Sequence, residues 1–270
     1  MVDFLYHPDA EFWADHHSTS FLSAELREQF ESRRNSQLLY DSSSSSCALL
    51  LWGNLATYLE SDSTRYKEMV YWADKIDSAA YADVSEAILG TAPALQIHRS
   101  LLRRADEEYC TFLIQVLREK HMADVVELGQ VKSREAEAVS LIRTGLDYFR
   151  RFAYVENGDI VICEIDVDTD KIISRYAPFY FFPQARYSIV LLRGKSGAKI
   201  TAMRNPWNEF PSVPMGRIFE LHGGGGHDRV GSVVFKGERA SQAASTMREI
   251  VDEIERCDDV SPVNLRRALA

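Results

Sequence analysis

The apolar positions change their period near residue 155, and that change separates two kinds of structure. Val2-Asp3-Phe4-Leu5 reads as the stub of a buried strand, followed by a polar loop through His7-Pro8-Asp9 and a second apolar segment, Phe12-Trp13-Ala14. Ser23-Ala24-Glu25-Leu26 opens a helical pattern. The run Ser42 to Ser46 stands directly before Cys47-Ala48-Leu49-Leu50-Leu51-Trp52, so its position predicts a serine helix N-cap. Glu68 to Tyr81 is expected as helix, with Met69, Val70, Trp72, Ala73 and Ile76 on a broad apolar face and Asp74 and Asp77 among them. From Ala105 to about Tyr154 helical stripes dominate: Cys110, Phe112, Leu113, Val116 and Leu117 form one, and Val139, Ile142, Leu146, Phe149 and Phe152 another.

After the turn signal Glu156-Asn157-Gly158 the pattern becomes β-branched and alternating. Strands are expected at Ile160 to Val167, Ala185 to Leu192, Ala198 to Met203 and Ser232 to Phe235. Gly194-Lys195-Ser196-Gly197 suits a turn, and Ser241 to Arg256 closes as an amphipathic helix. The organisation predicted is a helix-rich α/β region over 1–104, linking helices over 105–154, and a compact α+β unit over 155–270.

Composition narrows the function classes. At 270 residues, with 46% hydrophobic and 26% charged residues, the chain has room for two ordinary cores. No apolar run reaches bilayer length and no signal peptide is visible. Cys47, Cys110, Cys163 and Cys257 are dispersed without a CxxC pair, which fits reduced thiols in the cytoplasm. A net charge of −9 argues against duplex DNA as a partner, since that binding rests on many basic contacts to phosphate. A small nucleotide or short single-stranded oligonucleotide held by a local positive site stays open.

Two motifs concentrate the chemistry. Asp15-His16-His17 packs a carboxylate and two imidazoles into three positions, a dense set of metal ligands. Gly223-Gly224-Gly225-Gly226-His227, continuing into Asp228 and Arg229, offers backbone N–H groups that can approach a phosphate or base closely. Other residues invite blander readings. His7 fits a loop histidine, Trp207 serves core or stacking equally well, and Asp166, Asp168 and Asp170 lack the glycine and glutamate of a calcium loop.

In this order the two motifs resemble the DHH phosphoesterases, in which a metal-binding Asp-His-His domain precedes a smaller domain with a Gly-Gly-Gly-His loop. The resemblance implies an α/β fold: an N-terminally incomplete parallel-sheet domain joined by long helices to a smaller α+β substrate-binding domain. It extends to Asp3 as the lone aspartate at a strand end and to Asp74 in Trp72-Ala73-Asp74-Lys75-Ile76-Asp77. By that likeness Asp3 would bridge metals, His16 and Asp74 would be terminal ligands with Asp77 the alternative, and His17 would lie nearest the scissile phosphate. Asp15 would orient an imidazole from behind the ligands. Gly224, Gly225, Gly226, His227 and Arg229 would hold the substrate beyond the scissile bond, with Arg204 neutralising a terminal phosphate and Asn205 reading a base or sugar.

The His-x-Asp-x-Asp block of the family has no counterpart, since only two residues precede Asp3. The chain is thus expected to resemble a DHH protein lacking its N-terminal portion, and to bind fewer than the family's two Mn2+ ions, one or none. The activity implied is metal-dependent hydrolysis of phosphate esters in small nucleotides, such as short oligoribonucleotides or linear or cyclic dinucleotides. A polyphosphate substrate would want a longer basic track. The alternative from another class is a catalytically impaired nucleotide-binding or regulatory protein. Either reading is compatible with a homodimer and calls for no membrane.

Overall fold

In a computed structural model, residues 1–17, 19–56, 63–167, 170–195 and 197–258 are described. In chain order the elements are β1 (Trp13–Asp15), α1 (Ala24–Arg33), β2 (Leu38–Tyr40), α2 (Cys47–Leu55), α3 (Ser63–Asp77), α4 (Val84–Leu89), α5 (Pro93–Leu101), α6 (Glu107–Glu119), α7 (Met122–Val125) and α8 (Gly129–Phe152). There follow β3 (Tyr154–Glu156), β4 (Ile160–Asp166), α9 (Ala177–Phe181), β5 (Tyr187–Gly194), β6 (Gly197–Arg204), α10 (Met215–Leu221), β7 (Gly225–His227), β8 (Val230–Lys236) and, after a 3-10 turn, α11 (Ala243–Asp258). The chain forms two compact units. The first takes Met1–Ala82, Thr91–His98 and Asp106–Leu128; the second takes Asp83–Gly90, Arg99–Ala105 and the chain from Gly129 onward. The stretch read as linking helices is therefore shared, with α6 and α7 in the first unit and α8 in the second.

In the first unit β1 and β2 pair in parallel, and Val2 adds one parallel bridge to Ala14. The strand expected over Val2–Leu5 is only that bridge. Asp3 stands at φ 55 and turns the chain out of extension, while Met1, Val2 and Phe4 are exposed. What fixes β1 is an aromatic core. Trp13, fully buried, meets Tyr6 edge-on at 5.2 Å and Phe30 at 5.4 Å, and its Nε1 donates to the Phe4 carbonyl at 2.8 Å. Ser23 caps α1 and Ser46 caps α2, each accepting from the amide three residues on. The serine run before α2 thus acts as its position predicts.

The second unit is built on a six-stranded sheet ordered β3-β4-β5-β6-β8-β7, parallel between β4 and β5 and antiparallel elsewhere. One face buries Ile160, Ile162, Ile189, Leu191, Ile200 and Phe235 at alternate positions, in one core with Phe219 of α10 and Ile250 and Ile254 of α11. On β4 the intervening Val161, Cys163 and Ile165 are buried as well, and α8 packs on that strand. Burial on two faces is why this segment reads as a continuous apolar run rather than an alternation.

The strands that begin at Ile160, Tyr187, Gly197 and Val230 lie where the alternation predicts. Gly194 pairs with Gly197 across the expected turn, whose Ser196 lies outside the described residues, as does Asp168 of the acidic trio. The glycine run, expected as a loop, ends in the edge strand β7, which forms a hairpin with β8. The short helices α9 and α10 escape a period-based reading because neither completes two full turns.

The Trp13 box carries the strand that presents the Asp15 motif. Trp13→Ala is expected to cost about 3–5 kcal/mol, read as a fall in the urea midpoint by far-ultraviolet circular dichroism. A loss below about 1 kcal/mol would show that the aromatic cluster does not anchor β1.

Candidate functional site

β1 delivers Asp15 to the end of the strand, where the chain wraps around its carboxylate. Asp15 is 1% exposed, and among the described residues the donors to its carboxylate all follow it closely in sequence. Oδ1 accepts from the His16 amide at 2.7 Å, the His17 amide at 3.3 Å and His17 Nδ1 at 2.8 Å, while Oδ2 accepts from Ser20 Oγ at 2.7 Å. Burial would push this carboxyl up. The hydrogen bonds from Ser20, His17 and the two amides outweigh it and hold Asp15 below the ordinary carboxylate range. Both oxygens of Asp15 are thus committed to groups within the next five residues.

His16 is placed by the serine loop. Its Nδ1 lies 3.1 Å from the Ser44 carbonyl, which can only accept, so Nδ1 carries a proton and, in the neutral ring, Nε2 a lone pair. Nε2 is buried without a hydrogen-bond partner, 3.2 Å from Asp77 Oδ2 and 3.6 Å from Asp3 Oδ1. A lone pair facing two carboxylate oxygens is unfavourable, and either a second proton on Nε2 or a metal ion between the three groups removes the repulsion. That donor set, one imidazole nitrogen and two carboxylates, fits a divalent metal ion. One ligand atom each of Asp3, Asp15, His16 and His17 lies within 4.8 Å of the others.

Asp74, expected as a terminal metal ligand with Asp77 the alternative, is engaged by the serine loop. Its Oδ1 accepts from Ser45 Oγ at 2.6 Å and Ser46 Oγ at 2.7 Å, so it ties the serine loop to α3, while Asp77, three residues on, reaches His16. Burial raises the Asp77 carboxyl; His16 opposes this and Asp3 reinforces it. His17, its ring 40% exposed, has Nδ1 on Asp15, leaving Nε2 as the nitrogen open to a ligand. Burial lowers its titration, but the Asp15 hydrogen bond and the charges of Asp15, Asp3 and Asp77 outweigh that and raise it. Beneath them Cys47 donates to the Ala14 carbonyl at 3.3 Å. Burial, opposed by a hydrogen bond with the Asp3 backbone and reinforced by the Asp3, Asp15 and Asp77 charges, pushes its thiol up to about 11.

In the second unit the four glycines are not equivalent. Gly223 sits at φ 76, and a Cβ on Gly224 or Gly226 would lie 2.3 Å from the Ser232 carbonyl oxygen or 2.1 Å from that of Val230. A Cβ on Gly225 would meet nothing within 4 Å. The fold therefore explains three of these glycines and leaves Gly225 as the one with open space beside it. His227 and Arg229 are exposed at the β7–β8 turn, and the Arg204 amide donates to the Arg229 carbonyl at 2.9 Å. His227, Arg229 and Arg204 thus share one end of the sheet. Arg204 donates Nη2 to the Asn208 carbonyl at 2.6 Å and stacks 4.4 Å from the Phe210 ring centroid. Burial and then the charge of Arg229 lower its titration.

Asn205, expected to read a base or sugar, is used otherwise. It is 1% exposed, its amide nitrogen donates to the Pro183 and Ala185 carbonyls at 3.0 and 2.9 Å, and its oxygen accepts from the Trp207 amide at 3.0 Å. Every polar atom of its side chain holds backbone. The turn-forming sense of Asn-Pro was the signal for this. Ser20, Ser44 and the full part of Asp77 escaped the sequence, since each depends on how distant loops meet.

No family model matches the sequence, and no curated protein matches it. Among solved structures the chain is similar to the pGpG-specific phosphodiesterase PggH from Vibrio cholerae, with 17% identity and a TM-score of 0.67 over 94% of this chain and 83% of that one. It is also similar to RecJ from Thermus thermophilus in complex with Mg2+, with 12% identity and a TM-score of 0.52 over 91% of this chain and 43% of that one. At these identities the likeness is one of fold. The mixed α/β architecture implied by the two motifs is the architecture the chain has.

The glycine geometry makes a stability contrast. Gly225→Ala is expected to change stability by less than about 0.5 kcal/mol, whereas Gly224→Ala and Asn205→Ala each cost about 2 kcal/mol or more in thermal or urea unfolding. Equal losses at Gly224 and Gly225 would contradict the assignment of internal roles.

Proposed function

We propose that the chain is a divalent-metal-dependent phosphoesterase of the DHH type, hydrolysing phosphate ester bonds in small nucleotides such as short oligoribonucleotides or linear and cyclic dinucleotides. The observation that carries this reading is the buried, unpartnered Nε2 of His16 aimed between Asp3 and Asp77. The fold shared with a pGpG-specific phosphodiesterase supports the substrate class. Asp3, His16 and Asp77 would hold the cation, for which Mn2+ is proposed and Mg2+ is the comparison. When bound, it supplies Lewis acidity, neutralising charge on phosphoryl oxygens and acidifying water.

The remaining work falls to the chain's own groups. Asp15 holds the His17 ring by Nδ1, so that Nε2 can carry a proton to or from an ester oxygen. Ser44 fixes the His16 tautomer, and Asp74, through Ser45 and Ser46, fixes the loop that bears Ser44. In the second unit the open backbone at Gly225, with His227 and Arg229, would bind nucleotide, and Arg204 would contribute charge rather than a direct bidentate clamp. No helix among the described residues is long and apolar enough to cross a membrane, and the free cysteines fit the cytoplasm proposed for it.

A second reading is favoured by one observation: among the described residues a single group of candidate metal ligands converges, around Asp3, His16 and His17. A module that binds nucleotide without turnover would have such a site, and the same experiment separates the two. Purified chain is incubated with pGpG or diadenylate, with Mn2+, with Mg2+ and with chelator, and the products are resolved by chromatography. Metal-stimulated hydrolysis is expected, lost with chelator and reduced roughly 100-fold or more by His16→Ala or Asp77→Asn, but only on the order of 10-fold by Asp74→Asn, which acts on the loop. Gly225→Ala should raise KM with little change in kcat. Calorimetric binding without turnover in any metal would decide for the second reading, and equal losses for Asp74→Asn and Asp77→Asn would return Asp74 to the ligand set.

A further inference from the structure

The central carboxylate of the site takes its last donor from outside the Asp-His-His motif. Ser20 is 1% exposed, and among the described residues its Oγ is the sole hydrogen-bond partner of Asp15 Oδ2, at 2.7 Å. Oδ1 carries the other three bonds, including the one to His17 Nδ1. The Ser20 hydroxyl has one proton and a second acceptor nearby, the His17 carbonyl at 2.5 Å. That carbonyl is already served by the Ser20 amide and by Tyr40 Oη, both at 3.2 Å, and a charged carboxylate is the stronger acceptor. The Ser20 hydroxyl therefore donates to Asp15 Oδ2.

Ser20 is itself held on both sides. Its amide closes a turn onto the His17 carbonyl, and its own carbonyl accepts from the amide of Tyr6 at 2.9 Å. Tyr6 is buried in the aromatic core beside Trp13 and Phe30. A rigid path runs from that core through Ser20 to Asp15 and on to His17.

We infer that Ser20 is a positioning residue that acts through Asp15 to fix His17 as the Nδ1–H tautomer, leaving Nε2 free for the phosphate ester. Without the hydroxyl, Oδ2 becomes a buried, unsatisfied carboxylate oxygen. The carboxyl then rotates toward other donors and the bond from Oδ1 to the imidazole weakens. Imidazole released from such a bond favours the Nε2–H tautomer, which presents a hydrogen where the reaction needs the ring's lone pair. The consequence for turnover rests on the phosphoesterase reading; the tautomer does not.

The test reads His17 directly. Two-bond proton–nitrogen correlation spectra of the metal-free, 15N-labelled full chain, recorded where His17 is neutral, should show Nδ1–H in the wild type. Ser20→Ala should move most of the population to Nε2–H, and Ser20→Thr should restore the wild-type pattern. If Ser20→Ala fails to fold by circular dichroism, the near-isosteric Ser20→Cys, a weaker donor, should give a partial shift. In turnover, Ser20→Ala should lower kcat on the order of 10-fold with KM nearly unchanged. An unmoved tautomer in folded Ser20→Ala or Ser20→Cys overturns the inference, even if the wild type hydrolyses dinucleotides. A wild type without turnover whose tautomer shifts on substitution supports it and defeats the phosphoesterase reading instead.

Discussion

A buried carboxylate that must be satisfied on both oxygens is the constraint around which the first unit is organised. Asp15 lies at the end of a fully buried strand, where an ionised group without partners would cost several kcal/mol. The chain meets that cost by folding the residues just after it back onto the carboxylate, and this act places the rings of His16 and His17 4.3 Å apart. The ligand geometry is in that sense a by-product of satisfying Asp15. The aromatic core behind it matters for the same reason: a strand that frayed would expose the carboxylate to water and remove the cause of the turn.

Charge is distributed unevenly between the two units. The first gathers Asp3, Asp15, Asp74 and Asp77 around two imidazoles, an arrangement that repels anions unless a cation intervenes. The second places Arg204 near enough to Arg229 for each to feel the other's charge, at the same sheet end as His227. The net charge of −9 hides this local inversion. A chain that is acidic as a whole still places two guanidiniums close together at one end of a sheet.

Much of this was legible in the sequence, and the limits have physical causes. The Asp-His-His triplet, the serine cap before α2, and the strands from Ile160 onward follow from local pattern, since caps and alternation are set within a few residues. Asp74 and Asp77 could not be separated that way. Three residues apart on one helix, they differ only in what faces them, and the serines that claim Asp74 lie 28 and 29 residues earlier. Asn205 marked a turn correctly, yet its burial depends on the carbonyls of Pro183 and Ala185, which the topology alone brings to it. The strand expected at Val2 to Leu5 failed for a backbone reason, the positive φ of Asp3, that apolar character does not reveal.

The membership of the two units along the chain has a consequence for how the molecule is made. Because Asp83–Gly90 and Arg99–Ala105 belong with the later half while Thr91–His98 and Asp106–Leu128 belong with the earlier one, neither unit is a contiguous cassette. A growing polypeptide cannot finish the earlier unit until α6 and α7 have left the ribosome, and by then segments of the later unit are waiting for partners not yet synthesised. No single cut separates the halves into whole bodies, so recombination between relatives would have to exchange several crossings at once. Two units threaded together in this way are inherited as one object.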